Sequence, residues 1–414
     1  MHALVIGAGL AGVTTAWELC RSGWRVTVLD RQPEAAAETS HANAGLVVPG
    51  HAMPWASPRV PGILLKSLFR PDQAYRLRPR LDPAMLRWGL RFLSQCTRHR
   101  HDANTVRAWR LAHYAQQRLH AVTEEAGLEY HSTRRGLLYM YRSRESLREA
   151  LEEMQIIRDL GQEVRSLDFD EIVALDPAFE QAAGSIAGAA YCPTDESGDA
   201  RLFTLGLVEA CRERGVEFVF ACPVERLLAE GGRIRCVRTA GGDREADAFV
   251  VASGSEAPRL TRPVGVKLPI YPVKGYSLTF PIGPGHRPPT IGGLDGDRLL
   301  AFSRLGDRLR LTATAEIAGY DDSCRPADFA PMIETFARLM PEAADYDKPG
   351  YWACLRPMSP NGRPVVGARG YPNLYINAGH GNLGWTMSCG TARLLADLMN
   401  GRDTEIPVEG PALH

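Results

Sequence analysis

The first thirty residues, MHALVIGAGLAGVTTAWELCRSGWRVTVLD (1–30), decide the fold. Residues 3–6 are a short apolar run of the buried parallel-strand type, Gly7 opens a turn, and residues 10–21 carry a helical pattern. Residues 25–29 form a second strand that ends at Asp30. Inside this βαβ unit lies G-A-G-L-A-G. Gly7 permits the tight turn, Gly9 lets the backbone approach a pyrophosphate, and Gly12 allows close packing of helix on strand. Leu10 and Ala11 open the helix, whose N-terminus favours phosphate charge. Asp30 follows about twenty residues after the fingerprint, placed to accept hydrogen bonds from ribose hydroxyls, with Arg31 beside it. An acidic residue there favours an unphosphorylated ribose, hence FAD or NAD rather than NADP.

Outward from this unit, residues 34–58 read as a loop broken by Pro49, Pro54 and Pro58. Within it, E-T-S-H-A-N-A-G (38–45) places small residues and amides where they can lie flat against a ring system while Ser40 donates to phosphate. Residues 59–130 are helical in pattern, followed by a strand at 136–141 and a helix at 145–160. A helix at 202–214 precedes strands at 216–220, 234–239 and 249–252. Residues 269–281 read as a strand, and 299–302 with 308–314 as a hairpin turning near Gly306 and Asp307. A helix at 328–339, a strand at 374–378 and a helix at 385–399 complete the pattern. N-A-G-H-G-N-L-G (377–384) leads into that last helix, whose N-terminus suits negative charge on the pyrimidine edge of a reduced flavin. The expectation is an α/β protein of two interleaved domains. A Rossmann-like nucleotide-binding domain would use residues 1–58, 195–265 and 355–414; an antiparallel sheet with helices, from residues 59–194 and 266–354, would hold the substrate.

Composition bounds the function. The 414 residues are 45% hydrophobic, and 48 Lys+Arg offset 48 Asp+Glu, which fits two or three domains and gives no global electrostatic reason for nucleic-acid binding. No apolar run approaches the roughly 20 residues that span a bilayer. A strand pattern that begins almost at once leaves no room for a cleaved signal peptide. Nine scattered cysteines with no C-x-x-C spacing point to reduced thiols in a cytoplasmic protein, and no metal site is expected.

Long blocks then carry a resemblance over nearly the whole chain: ETSHANAGLVVPGHAMPW, CPTDESGDARLFT, YPVKGYSLTFP, RLTATAEIAGYD, LRPMSPNGRPVVG and LYINAGHGNLGWTMSCG. The chain resembles the D-amino acid dehydrogenase branch of the FAD-dependent D-amino acid oxidase and glycine oxidase superfamily. The resemblance implies FAD held by the N-terminal unit. It also implies oxidation of an amino acid to an imino acid that water hydrolyses to a 2-oxo acid and ammonia. Electrons would pass from flavin to a quinone or other carrier, with room for a separate electron-transfer subunit. Gly7, Gly9, Gly12 and Asp30 match the FAD fingerprint; Ser40, Asn43, Ala44 and Gly45 match the segment beside the flavin, within which His41 is also expected at the cofactor. Gly379, Gly381, Asn382, Leu383 and Gly384 match the loop at its pyrimidine edge, and Val224, Ala252 and Gly254 are the contacts expected from the middle stretch. Arg356 matches the arginine that binds the substrate carboxylate. Two positions depart from the branch, His41 where an aromatic is common and His51 where a tyrosine is common, and both bear on which side chain is accepted.

Amine oxidation by a flavin needs mainly positioning, with Cα–H presented to N5 and the amine deprotonated. A planar, always-charged guanidinium suits the carboxylate, so Arg356 is the expected clamp and Arg304 a second one. Tyr271 and Tyr276 are an odd number apart, so they face opposite sides of a strand and one of them is expected to line the site. Lys274 is a candidate for flavin N5 or a bound water. His51 is expected to line the pocket or to carry a flavin link, and His380 to contact flavin or to serve structure. From 59 to 110, twelve Lys/Arg face three Asp, net +9, interleaved with Leu64, Leu65, Leu68, Phe69, Leu86, Trp88, Leu90 and Phe92. That pattern suits either an anionic membrane surface on the inner face or a solvated helix face. Two other functions stay open: an oxidase or dehydrogenase of glycine, sarcosine or cyclic imino acids such as D-proline or hydroxy-D-proline, and a noncatalytic FAD-binding subunit.

Overall fold

The computed structural model describes residues 1–67 and 75–408. A six-stranded sheet runs in the order Val365–Arg369, Tyr371–Ala378, Ala248–Val251, His2–Ile6, Arg25–Leu29, Glu217–Val219, parallel except for its first pair. Its strands are apolar on both faces because both are covered. On one side Ala3, Val5, Val26, Val28 and Val250 pack beneath the helices Leu10–Arg21, Ala200–Glu213 and Gly384–Met399. On the other, Leu4, Ile6, Phe249, Val251 and Ile376 pack with Leu227, Ile234 and Val237 of a three-stranded antiparallel sheet.

A nine-stranded, mostly antiparallel sheet forms the second half. Tyr271–Pro281 sits between Gly350–Met358 and Arg308–Ile317, antiparallel to both. Its outer face buries Tyr276, Leu278 and Phe280 with Phe329 and Phe336 of the helix Pro326–Leu339. Full burial of one such side chain stabilises by roughly 1.5–3 kcal/mol.

Packing revises the expected domain limits. The boundary at residue 355 falls inside Gly350–Met358, which is hydrogen-bonded into the nine-stranded sheet, so that strand stays with the substrate half through Met358. The helix Arg98–Glu125, expected in the substrate half, buries Leu119 and Val122 in the core under the six-stranded sheet. It approaches the terminal helix closely enough that a Cβ on Gly390 would lie 2.6 Å from that of Ala115. Among the described residues no helix is long and apolar enough to cross a membrane.

Candidate active site

A cavity of about 540 Å³ runs between the two sheets, from the glycine turn at one end to Arg356 at the other. The glycine turn is shaped by close approach. Gly7 holds φ at +110°, and a Cβ there would lie 2.7 Å from the Ala252 carbonyl oxygen. A Cβ on Gly12 would overlap the Gly7 carbonyl, so helix and strand can meet only through glycine. The helix Leu10–Arg21 has no side-chain cap from its own N-cap residue and no acid in its first turn; Ser40 Oγ accepts the Leu10 N–H at 3.1 Å. Asp30 lines the cavity with Oδ2 accepting from the Ala8 N–H at 2.5 Å and Oδ1 from the Gln32 N–H at 2.8 Å. Burial pushes its pKa up, against those two donors. Its carboxylate keeps further lone pairs and borders the cavity.

Gly9, Leu10, Ala11, Arg31, Val224, Ala252 and Gly254 also border this end, Arg31 paired to Glu38 at 2.6 Å. Asn43 and Ala44 form a wall further along, anchored from behind: Ser303 Oγ donates to the Ala44 carbonyl at 2.8 Å and buried Arg310 donates to the Asn43 carbonyl at 2.9 Å. Gly381, Asn382 and Gly384 bring the uncapped N-terminus of Gly384–Met399 to the same cavity. Four lining side chains, Ser253, Ser277, Asn377 and Trp385, each hold a buried polar atom with no partner among the described residues. Buried polar groups are normally paired, so a cavity with this glycine cradle, free helix N-termini and four unpaired polar atoms fits a polar, phosphate-bearing cofactor.

Arg356 lies at the far end. Its guanidinium rests over Gly275, where any Cβ would overlap it, and 5.6 Å from the Trp55 ring. One nitrogen donates to the Thr314 carbonyl at 3.0 Å. Thr314 is the extra residue of a β-bulge opposite Gly275 and Tyr276 and is held at φ +60°, a costly conformation for a β-branched residue that aims its carbonyl at the guanidinium. No carboxylate among the described residues forms an ion pair with Arg356, and burial lowers its pKa. A desolvated guanidinium with spare donors has the chemistry to accept a carboxylate partner.

Other expectations are corrected. Arg304 falls between Ala301 and Ser303 on one side and Leu305 on the other, on the opposite face of the strand from the cavity, and donates to the Gly306 carbonyl at 3.1 Å. Lys274 is buried on the outer face, donating to the Ser323 carbonyl at 2.8 Å and ion-paired to Glu316 at 3.5 Å, so it does not reach the cofactor cavity. Tyr271 and Tyr276 do face opposite sides, and Tyr276 borders the cavity as expected, with its hydroxyl donating to Glu316 at 3.4 Å, while Tyr271 stands away from it and donates to Asp82 at 2.7 Å. His41 stacks on Trp352 at 4.2 Å outside the lining. Gly12, Gly45, Gly379 and Leu383 stand behind the wall rather than in it. His380 borders the cavity but bonds Thr391 at 2.9 Å, and burial lowers its pKa to about 4, so it stays neutral.

His51 does line the cavity, stacked on Tyr139 at 4.9 Å, with burial lowering its pKa. Tyr139 donates to Asp195 at 2.5 Å, and that carboxyl, pushed up to about 7 by burial, also accepts the Gly50 N–H at 2.8 Å. Trp55, Tyr75, Tyr139, Leu294 and Leu299 also line the cavity and were not singled out from the sequence. Strand alternation in residues 137–141 was the one available signal, for Tyr139.

The model of FAD dependent oxidoreductases of the DAO family matches residues 2–398. The chain belongs to that family. It is therefore an FAD-dependent enzyme of the oxidoreductase class. Among its relatives, "D-amino acid dehydrogenase 2" of Mesorhizobium japonicum is 42% identical over 411 residues, 99% of each chain. "D-amino acid dehydrogenase" of Agrobacterium fabrum is 41% identical over 413 residues, 100% of this chain and 99% of that one. In structure the chain is similar to glycine oxidase from Geobacillus kaustophilus, with a TM-score of 0.74 at 21% identity over 98% of this chain and 96% of that one. That likeness shows the fold: a parallel Rossmann-like sheet joined to an antiparallel sheet with helices.

Proposed function

We propose that this enzyme is a D-amino acid dehydrogenase, oxidising the Cα–N bond of a D-amino acid to an imino acid that water converts to a 2-oxo acid and ammonia. The observation that carries the reading is Arg356, a half-buried guanidinium on the cavity wall that no carboxylate among the described residues pairs with. FAD, when bound, supplies the acceptor for the hydride leaving Cα.

Everything else is positioning. The fingerprint backbone and Asp30 would hold pyrophosphate and ribose, the 43–48 wall and the 381–384 turn would flank the ring, and Arg356 would take the substrate carboxylate in paired hydrogen bonds. Trp55 and Tyr75 pack edge-on at 5.4 Å and wall off that end from water. His51 lines the same cavity, where burial disfavours its charged form, and its imidazole would offer the substrate a hydrogen bond.

The relatives' names favour a dehydrogenase over an oxidase, and we infer a quinone or similar carrier as electron acceptor. Anaerobic reduction of the bound flavin, screened over D- and L-amino acids, glycine, sarcosine and prolines, tests the substrate reading. Bleaching by D-amino acids ahead of the others is expected; preference for glycine or sarcosine would support the second reading. Reoxidation by quinone faster than by dioxygen is expected in the same experiment.

We also infer peripheral contact with an anionic membrane, now over a smaller surface than the sequence alone implied. Arg59, Arg78, Arg80 and Arg98 are ion-paired, and Trp88 and Phe92 turn into the core. Leu68, Phe69, Arg70 and Asp72 lie outside the described residues. Leu65, Leu86 and Leu90 are exposed.

A further inference from the structure

A second pocket, of about 280 Å³, opens between the helix Pro83–Gln95 and the segment that follows the helix Ala257–Thr261. Four cations line it, Arg87 and Arg91 from the helix, Arg262 and Lys267 from the segment, and no acid does. None of the four has an ion pair among the described residues. Asp82 lies within electrostatic reach of Arg262, but its carboxylate already accepts from Tyr271 O–H and Ala84 N–H. The floor is rigid: Trp88 is buried there, stacked on Phe92 at 5.1 Å with its indole N–H bonded to the Met358 carbonyl at 2.8 Å. Four like charges around one concavity repel unless an anion joins them.

The helix itself says which anion. Met85, Trp88 and Phe92 form its buried stripe. Arg87 and Arg91, four apart, form a second stripe facing the pocket. Leu86, Leu90 and Leu93 form a third, pointing outward at 63%, 70% and 45% exposure, and Leu81 just upstream is fully exposed. A free phosphate compound has no use for three exposed leucines, whereas a phospholipid presents phosphate and acyl chain side by side. We propose that this pocket binds the phosphate headgroup of an anionic phospholipid, with Leu86, Leu90 and Leu93 entering the acyl boundary beside it.

This deepens the membrane reading above and rests on it, but on no assignment in the FAD cavity. The test is sedimentation of the FAD-loaded protein with phosphatidylcholine vesicles containing phosphatidylglycerol. Removing one cation near an anionic surface weakens binding about fivefold, so Arg262→Ala/Lys267→Ala should weaken it roughly 25-fold. The exchanged pair Arg262→Lys/Lys267→Arg should restore most of it, and Leu86→Ser/Leu90→Ser should weaken it as well. FAD content and dye-coupled amino acid oxidation should not change in any of these variants, which also reports that they fold. Wild-type protein that binds these vesicles no better than pure phosphatidylcholine would overturn the membrane reading itself. Normal vesicle binding by Arg262→Ala/Lys267→Ala would overturn the pocket alone. Displacement by inorganic phosphate together with unaltered binding of the leucine variant would assign the pocket to a soluble phosphate compound and overturn the lipid.

Discussion

Thr314 holds a left-handed backbone that β-branched residues avoid, at a cost on the order of 1–3 kcal/mol. Glycine adopts it freely but gives up roughly 0.5–1 kcal/mol of chain entropy. Thr314→Gly should therefore raise the melting temperature slightly while lowering kcat/KM, because the carbonyl that steadies Arg356 gains freedom; an unchanged kcat/KM would show that the bulge does not position the clamp. Asp195 gives a pH signature. Its carboxyl titrates near 7 in the fold against an ordinary 3.8, so the folded state favours the protonated form. That contribution is complete below about pH 4 and is lost as pH rises through about 7. Asp195→Asn keeps a neutral group at every pH, so its stability advantage over the native protein should grow across that window, by on the order of 4 kcal/mol at most. Urea melts at about pH 5 and about pH 8 measure it; equal differences at both would mean the carboxyl is ionised throughout. At this scale Arg356 borders the cavity as its block implied, its role being what kinetics must test, whereas Lys274 and Arg304 were misplaced, because a strand residue's face depends on bulges and partners that its own sequence does not record.

Among the elements, the fingerprint turn makes the sharpest demand. Gly12→Ala places a methyl against the Gly7 carbonyl and should yield protein without FAD, checked by its flavin absorbance. Gly9→Ala meets only Ser40 Oγ, at 3.3 Å, and that side chain can rotate, so folded protein with weakened FAD retention is expected. The βαβ unit was readable because its strands, helix and turn are consecutive. The hairpin Leu300–Leu305 with Arg308–Ile317 was readable for the same reason, its turn being local. Tyr75–Leu77 was not: this short strand exists only through parallel pairing with Ala315 to Ile317, far along the chain, and it delivers Tyr75 to the cavity. No strand was delimited over Gly350–Met358, since its outer residues lack the apolar alternation that marks one.

Across the whole molecule, the FAD cavity is bounded by both sheets, so bound cofactor joins the two halves. A ligand present at 100 times its Kd stabilises the native state by about 2.7 kcal/mol, and stripping FAD should lower the melting temperature of the entire chain in a single transition. Acid precipitation should leave the flavin in solution; flavin in the pellet would indicate a covalent link, with His51 the first suspect because the other histidine bordering the cavity, His380, is tied to Thr391. The central claim, however, is that Arg356 receives the substrate carboxylate, and steady-state kinetics of Arg356→Ala and Arg356→Lys with the best D-amino acid tests it most directly. Truncating a buried charge partner costs on the order of 2–5 kcal/mol, which is roughly 30- to several-thousand-fold in kcat/KM, and lysine should recover little because it lacks the planar fork. FAD content should be unchanged in both. Near-native kcat/KM in Arg356→Ala, with FAD bound, would contradict the account.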